Sequence, residues 1–146
     1  MDLRNGFRID EPSAWVPWTI PEDALADRLG PSLRQVANQY WVARGVRVLD
    51  GLECHLGFHF HGEPGELSEL EFFRDSYPDL AGSFQDFQEY FENAFGPPTE
   101  THFQSEQSPY LRSGFPAHRW LLPGVEIVHM VVERFTAEEH MRIRRR

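Results

Sequence analysis

Residues 51–74, GLECHLGFHFHGEPGELSELEFFR, decide how the rest of the chain is read. Apolar and polar residues alternate through Cys54, Leu56, Phe58 and Phe60. The turn-forming Gly62-Glu63-Pro64-Gly65 follows, and alternation resumes at Ser68, Leu70 and Phe72. A period of two sends successive side chains to opposite faces, so the stretch predicts one β-hairpin with one apolar face. If the apolar faces of its strands coincide, facing residue numbers have an even sum, which puts Glu69 and Glu71 on the side of His55, His59 and His61. Such a ribbon needs a cover over its apolar side.

The cover is predicted directly downstream. Over 83–95, Ser83 can cap a helix with Asp86 at the answering position, and Phe84, Phe87, Phe91, Ala94 and Phe95 share one face. Gly96-Pro97-Pro98 stops it. Its phenylalanines are expected to lie on Leu56, Phe58, Leu70 and Phe72. Upstream, 14–20 reads as an extended segment. Thr19 and Glu22 form a capping box around Pro21 for a short helix that buries Leu25 and Leu29 and ends at Gly30-Pro31.

The parity of Val36, Asn38, Tyr40 and Val42 favours a strand ending at Arg44-Gly45, with a second strand over 46–49 and a turn at Asp50-Gly51; a helix over 33–40 is the competitor. Strands are also predicted over 119–122 and 125–135, joined by Pro123-Gly124, the second apolar on both parities and therefore mid-sheet. From Thr136 the chain reads either as a short helix or as a final strand, HMRIR. Residues 99–118 carry no regular pattern and read as either a functional loop or a mobile one. The expectation is one α+β domain over 1–146 with a flexible lead-in, 1–13, and a basic tail, 141–146. Its architecture would be a two-layer sandwich, an antiparallel sheet of about six strands with two helices on one face.

Leu29-Gly30-Pro31 and Phe95-Gly96-Pro97 each end a helix, and each is followed by strand-rich sequence holding a tryptophan, Trp41 and Trp120. This suggests two α-β-β halves. In that pattern the chain resembles the helix-plus-antiparallel-sheet halves of the β-lactamase inhibitor protein family. In size, acidity and lack of catalytic motif it is similar to small immunity proteins of bacterial toxin systems. The resemblance implies an inhibitory, protein-binding role and carries no individual residue across.

The 146 residues have a formal net charge of −9, and all 14 basic residues are arginine. Acidity argues against nucleic acid, where affinity comes from basic side chains on phosphate, and favours a basic protein partner such as a toxin. Without lysine there is neither a phosphate-loop lysine nor a Schiff base. A single cysteine, Cys54, and no apolar run long enough for a span lead to the expectation of a cytoplasmic protein without leader or membrane contact.

No nucleophile elbow, H-E-x-x-H, C-x-x-C or G-x-G-x-x-G occurs, so a non-enzyme without cofactor is expected. Cys54 sits on the buried parity and reads as a packed thiol. Glu126 and His129 spell E-x-x-H, but on a strand they point to opposite sides, leaving His129 as a hydrogen-bonded core residue. The favoured function is an intracellular inhibitor or immunity-type protein that neutralises a partner by direct binding. Its contacts would be the exposed carboxylates Glu63, Glu66, Glu69 and Glu71 and the loop aromatics Phe103, Tyr110 and Phe115. One alternative is a metal-binding protein or metal-dependent enzyme using His55, His59 and His61. Another is a non-catalytic homodimer joined through Phe73 and Trp41.

Overall fold

The computed structural model describes residues 1–62, 65–75 and 79–146. Among them the chain forms strands β1 (Gly6–Ile9) and β2 (Ala14–Pro17), helix α1 (Leu25–Leu29), and strands β3 (Leu33–Ala37), β4 (Tyr40–Val48), β5 (Leu52–His59) and β6 (Glu69–Phe73). Helix α2 (Leu80–Phe95) follows, then β7 (Glu100–Thr101), β8 (His118–Leu122), β9 (Val125–Glu133) and β10 (Ala137–Arg145). β1 and β2 form their own ribbon. The other eight strands make one antiparallel sheet in the order β3-β4-β5-β6-β10-β9-β8-β7. The protein is therefore α+β, with eight strands plus a two-stranded ribbon where about six strands were expected. None of the described helices is long and apolar enough to cross a membrane.

The hairpin register follows the parity argument: Leu56 faces Phe72, Phe58 faces Leu70, and His59 faces Glu69. The apolar face of β5 and β6 is covered by α2, whose Phe91 meets Phe72 edge-on at 5.1 Å, and by β1, whose Phe7 meets the same ring at 5.5 Å. Phe58, Phe60, Phe72, Phe87 and Phe91 are fully buried, each contributing about 1.5–3 kcal/mol relative to an exposed ring. Leu25 and Leu29 of α1, Val16 of the ribbon and Trp18 just after it join the same core.

The strands fall into two meanders, each led by a helix: α1 then β3 to β6, and α2 then β7 to β10. They join where β6 pairs with β10, Glu71 opposite Arg142 and Leu70 opposite Ile143. Each half thus holds four sheet strands rather than two. The segment read as a basic tail is a central strand, with Met141 and Ile143 in the core and Arg142 and Arg144 on the opposite face. Part of the segment read as a lead-in is β1.

The helix caps differ from the sequence reading. The Asp79 carboxylate, not Ser83, caps α2 by accepting from the Gly82 N–H at 3.0 Å, while the Ser83 hydroxyl donates to Glu139 and Asp86 pairs with Arg74. Among the described residues no side chain caps the Glu22–Ala24 turn before α1; Glu22 instead accepts from the Trp41 indole at 2.8 Å. Arg44-Gly45 does not end a strand. It forms a bulge within β4, between the Ala43 and Val46 pairings, with Gly45 at φ 66°, a left-handed conformation that favours glycine. The competing helix over 33–40 is replaced by β3 and its turn into β4.

Candidate functional site

Two polar constellations lie on opposite faces of the sheet. Under α2, the Ser83 hydroxyl donates to Glu139 Oε1 at 2.7 Å, and Glu139 Oε2 lies 2.5 Å from His129 Nε2. His129 Nδ1 is 2.7 Å from Gln88 Oε1, and the Gln88 amide donates to Glu92 at 3.0 Å. Phe84 stacks on the imidazole at 3.9 Å. Ser83, Gln88, His129 and Glu139 are all buried, and burial pushes the His129 imidazole down against the pull of Glu139. The serine bonds the carboxyl rather than the imidazole, so it lacks the base contact that a nucleophile requires. His129 is the hydrogen-bonded core histidine that its strand position predicts.

On the open face, charges alternate across the strands. Tyr40 of β4 stacks on His59 of β5 at 4.3 Å and donates to Glu71 of β6 at 2.8 Å. Arg142 of β10 approaches Glu71 at 3.2 Å and Glu69 at 3.5 Å, and Arg144 donates to Glu69 at 2.6 Å. Glu126 of β9 stands between Arg144 and Arg119 of β8, and Arg119 donates to Glu100 of β7 at 2.7 Å. Burial works to raise the Glu71 carboxyl, but the His59 imidazole, the Tyr40 hydroxyl and the Arg142 guanidinium outweigh it and hold it at about 2. Burial and the same carboxylate push the Tyr40 phenol up. Gly57 makes room for this group: a Cβ there would stand 2.9 Å from both the Tyr40 ring and Glu71.

The loop after β7 wraps the end of the sheet. Phe103 and Leu111 pack on the open face against Ala117, Val128, Met130 and Val132, fastened by Arg112 N–H to the Val131 carbonyl at 2.9 Å. Phe115 instead meets Phe84 of α2 edge-on at 5.3 Å. Between residues 103–107 and strands β8 to β10 lies a cavity of about 160 Å³, walled by Arg119, Arg142, Arg144, Glu126, Val128 and Met130 among others.

The residues expected to form the contact surface have separate fates. Phe103 is 8% exposed and belongs to the second core, so it does not present itself to a partner. Glu69 and Glu71 are not the exposed carboxylates expected: they are half-buried in the charge ladder, and Glu66 is paired with Arg145 at 3.0 Å. Tyr110 is 43% exposed with the Arg134 guanidinium 4.3 Å from its ring centre. Glu63 lies outside the described residues. Trp41 and Phe73, expected as exposed dimer contacts, are half-buried, Phe73 against His55.

The three histidines of the alternative metal site go to different partners. His55 meets Asp75 at 3.0 Å and the Gly45 N–H, His59 stacks on Tyr40, and His61 is exposed. No three His, Cys, Asp or Glu side chains among the described residues are grouped to hold a metal ion. Cys54 is packed, its thiol pushed up to about 12 by burial.

No protein-family model, curated protein or solved structure matches the chain.

What the sequence reading missed is Phe135. Its position at the end of the 125–135 pattern predicts a strand residue, yet it sits in the turn between β9 and β10, 100% exposed. It borders a shallow depression with Gln107, Val132, Arg134, Thr136, Glu138 and His140. The signal was present, since the charged pair Glu133-Arg134 breaks the apolar run of β9 and leaves Phe135 beyond the end of the strand.

Proposed function

We propose that this chain is a non-catalytic binding protein of the inhibitor or immunity type, which neutralises a basic protein partner by direct contact. The observation that carries the reading is at the β9–β10 turn: Phe135 is fully exposed, and Arg134, next to it in the chain, stacks on the part-exposed Tyr110. Aromatic rings and arginine are the side chains that dominate binding energy at protein interfaces, and an unsupported phenylalanine in water gains about 2 kcal/mol or more when a partner covers it. Glu133 and Glu138 flank the patch, half or more exposed, and the chain as a whole carries −9. That charge steers a basic surface toward the patch.

The test is a paired capture from lysate of the source organism, at low and high salt, with wild-type protein and the Phe135→Ala/Tyr110→Ala double variant as parallel baits. The reading expects one basic protein at stoichiometric level on the wild type, weakened by salt and lost from the variant, whose own activity the wild type suppresses. Equal capture by both baits removes the aromatic patch from the interface. No stoichiometric capture, or a captured protein whose activity is unchanged, removes the inhibitor reading.

A further inference from the structure

We propose that the cavity between residues 103–107 and strands β8 to β10 binds a carboxylate carried on a short aliphatic stem, a small organic acid of about the size of butyrate. The site is separate from the aromatic patch, and the inference does not depend on the inhibitor reading.

The argument begins with guanidinium donors. Arg119, Arg142 and Arg144 all line the cavity. Each commits one edge to a carboxylate that does not line it: Arg119 to Glu100 at 2.7 Å, Arg142 to Glu71 at 3.2 Å, Arg144 to Glu69 at 2.6 Å. The remaining nitrogens are short of acceptors. Among the described residues, the buried Arg142 Nε has no hydrogen-bond partner, while Arg142 Nη1 lies 3.5 Å from Glu69. Arg119 Nη1 and Arg144 Nη1 have Glu126 as an ion-pair neighbour, but at 3.8 and 3.9 Å, beyond hydrogen-bonding distance. A buried donor left without an acceptor costs about 1–3 kcal/mol, so Arg142 Nε favours an incoming acceptor, and the partly exposed guanidinium groups of Arg119 and Arg144 add positive charge around the same cavity.

The chemistry of that acceptor follows from the walls. Two oxygens offering about four lone-pair sites match guanidinium edges far better than a single carbonyl oxygen, and charge-assisted bonds to arginine are about twice as strong as neutral ones. Glu106 and Glu126 are the carboxylates already lining the gap; Glu126 is too distant from Arg119 and Arg144 to satisfy them and close enough to repel a second anion. Behind the arginines the wall is apolar: Val128 and Met130 are buried, and the Phe103 ring lies 5.0 Å from the Arg119 guanidinium. A cavity of about 160 Å³ holds a carboxylate and a few methylene groups, not a sugar or nucleotide.

The experiment is an NMR titration of labelled protein with sodium butyrate at constant ionic strength, with butyramide as the neutral isostere, following the Arg142 Nε–Hε signal and the Met130 methyl. Saturable shifts at both reporters are expected with butyrate, and binding of butyramide at least about tenfold weaker, the loss from replacing a charge-assisted acceptor. Glu126→Gln removes the anion that neighbours Arg119 and Arg144 and should tighten butyrate about threefold or more, while Arg142→Gln should abolish binding. If Arg142→Gln fails to fold, the butyramide comparison and Glu126→Gln decide. Equal binding of acid and amide, unchanged or weaker binding in Glu126→Gln, or no saturable shift of either reporter, as when water alone fills the cavity, overturns the proposal.

Discussion

His129 Nε2 and Glu139 Oε2 lie 2.5 Å apart in the dry layer between α2 and the sheet, and neither side chain has exposed surface. The proton between them can be traced from its neighbours. The Gln88 amide group donates to Glu92, so the Gln88 oxygen faces His129 and His129 Nδ1 carries a hydrogen. The contact with Glu139 therefore needs one further proton, held between imidazole and carboxyl. With that proton the pair is uncharged overall, which is the form the interior tolerates.

A glutamine at 139 reproduces this pattern, since its amide can donate to His129 and its carbonyl can accept from Ser83. Glu139→Gln is expected to cost less than about 1 kcal/mol at neutral pH, whereas Glu139→Ala, which strands both partners and opens a void, should cost about 3 kcal/mol. Urea unfolding of the two variants measures the difference. Equal losses would mean that the shared proton does not hold this contact.

The open face has its own pH signature. Glu71 is held at about 2 in the folded chain against an ordinary 4.5, so the folded state binds fewer protons than the unfolded one throughout that interval. Its contribution to stability is complete above pH 4.5 and is lost as pH falls toward 2. Allowing for partial exposure, the loss is on the order of 2 kcal/mol. Glu71→Gln should flatten the acid limb of a stability–pH curve by that amount. An acid limb as steep in the variant as in the parent would place the titration elsewhere.

Much of the hairpin and of α2 was legible because each carries its pattern within its own residues. The parity of Leu56, Phe58, Leu70 and Phe72 set the β5–β6 register, and the spacing of Phe84, Phe87 and Phe91 set the buried face of the helix. β10 was legible only as one of two alternatives, the final strand HMRIR against a short helix. Its outward residues are arginines at a chain end, and only their pairing with Glu69 and Glu71 on a strand distant in sequence makes them part of a sheet. The same limit governed the site. Local pattern placed Glu69 and Glu71 beside the histidines, but it could not reveal that β10 supplies the neutralising charge on their other side, or that a loop aromatic such as Phe103 turns inward.

Phe103 and Phe135 make that last distinction measurable. Both are phenylalanines outside the regular strands, yet Phe103 seals the second core against Val128 and Met130 while Phe135 touches water on all sides. Phe103→Ala should lose about 3 kcal/mol, the cost of deleting a buried ring whose surroundings relax only partly. Phe135→Ala should stay within about 0.5 kcal/mol of the parent, as a surface change remote from caps and ion pairs does. Chemical denaturation of both variants provides the comparison. A large loss in Phe135→Ala would mean that the ring packs against the chain itself, and the aromatic patch would then lose its standing as a surface reserved for a partner.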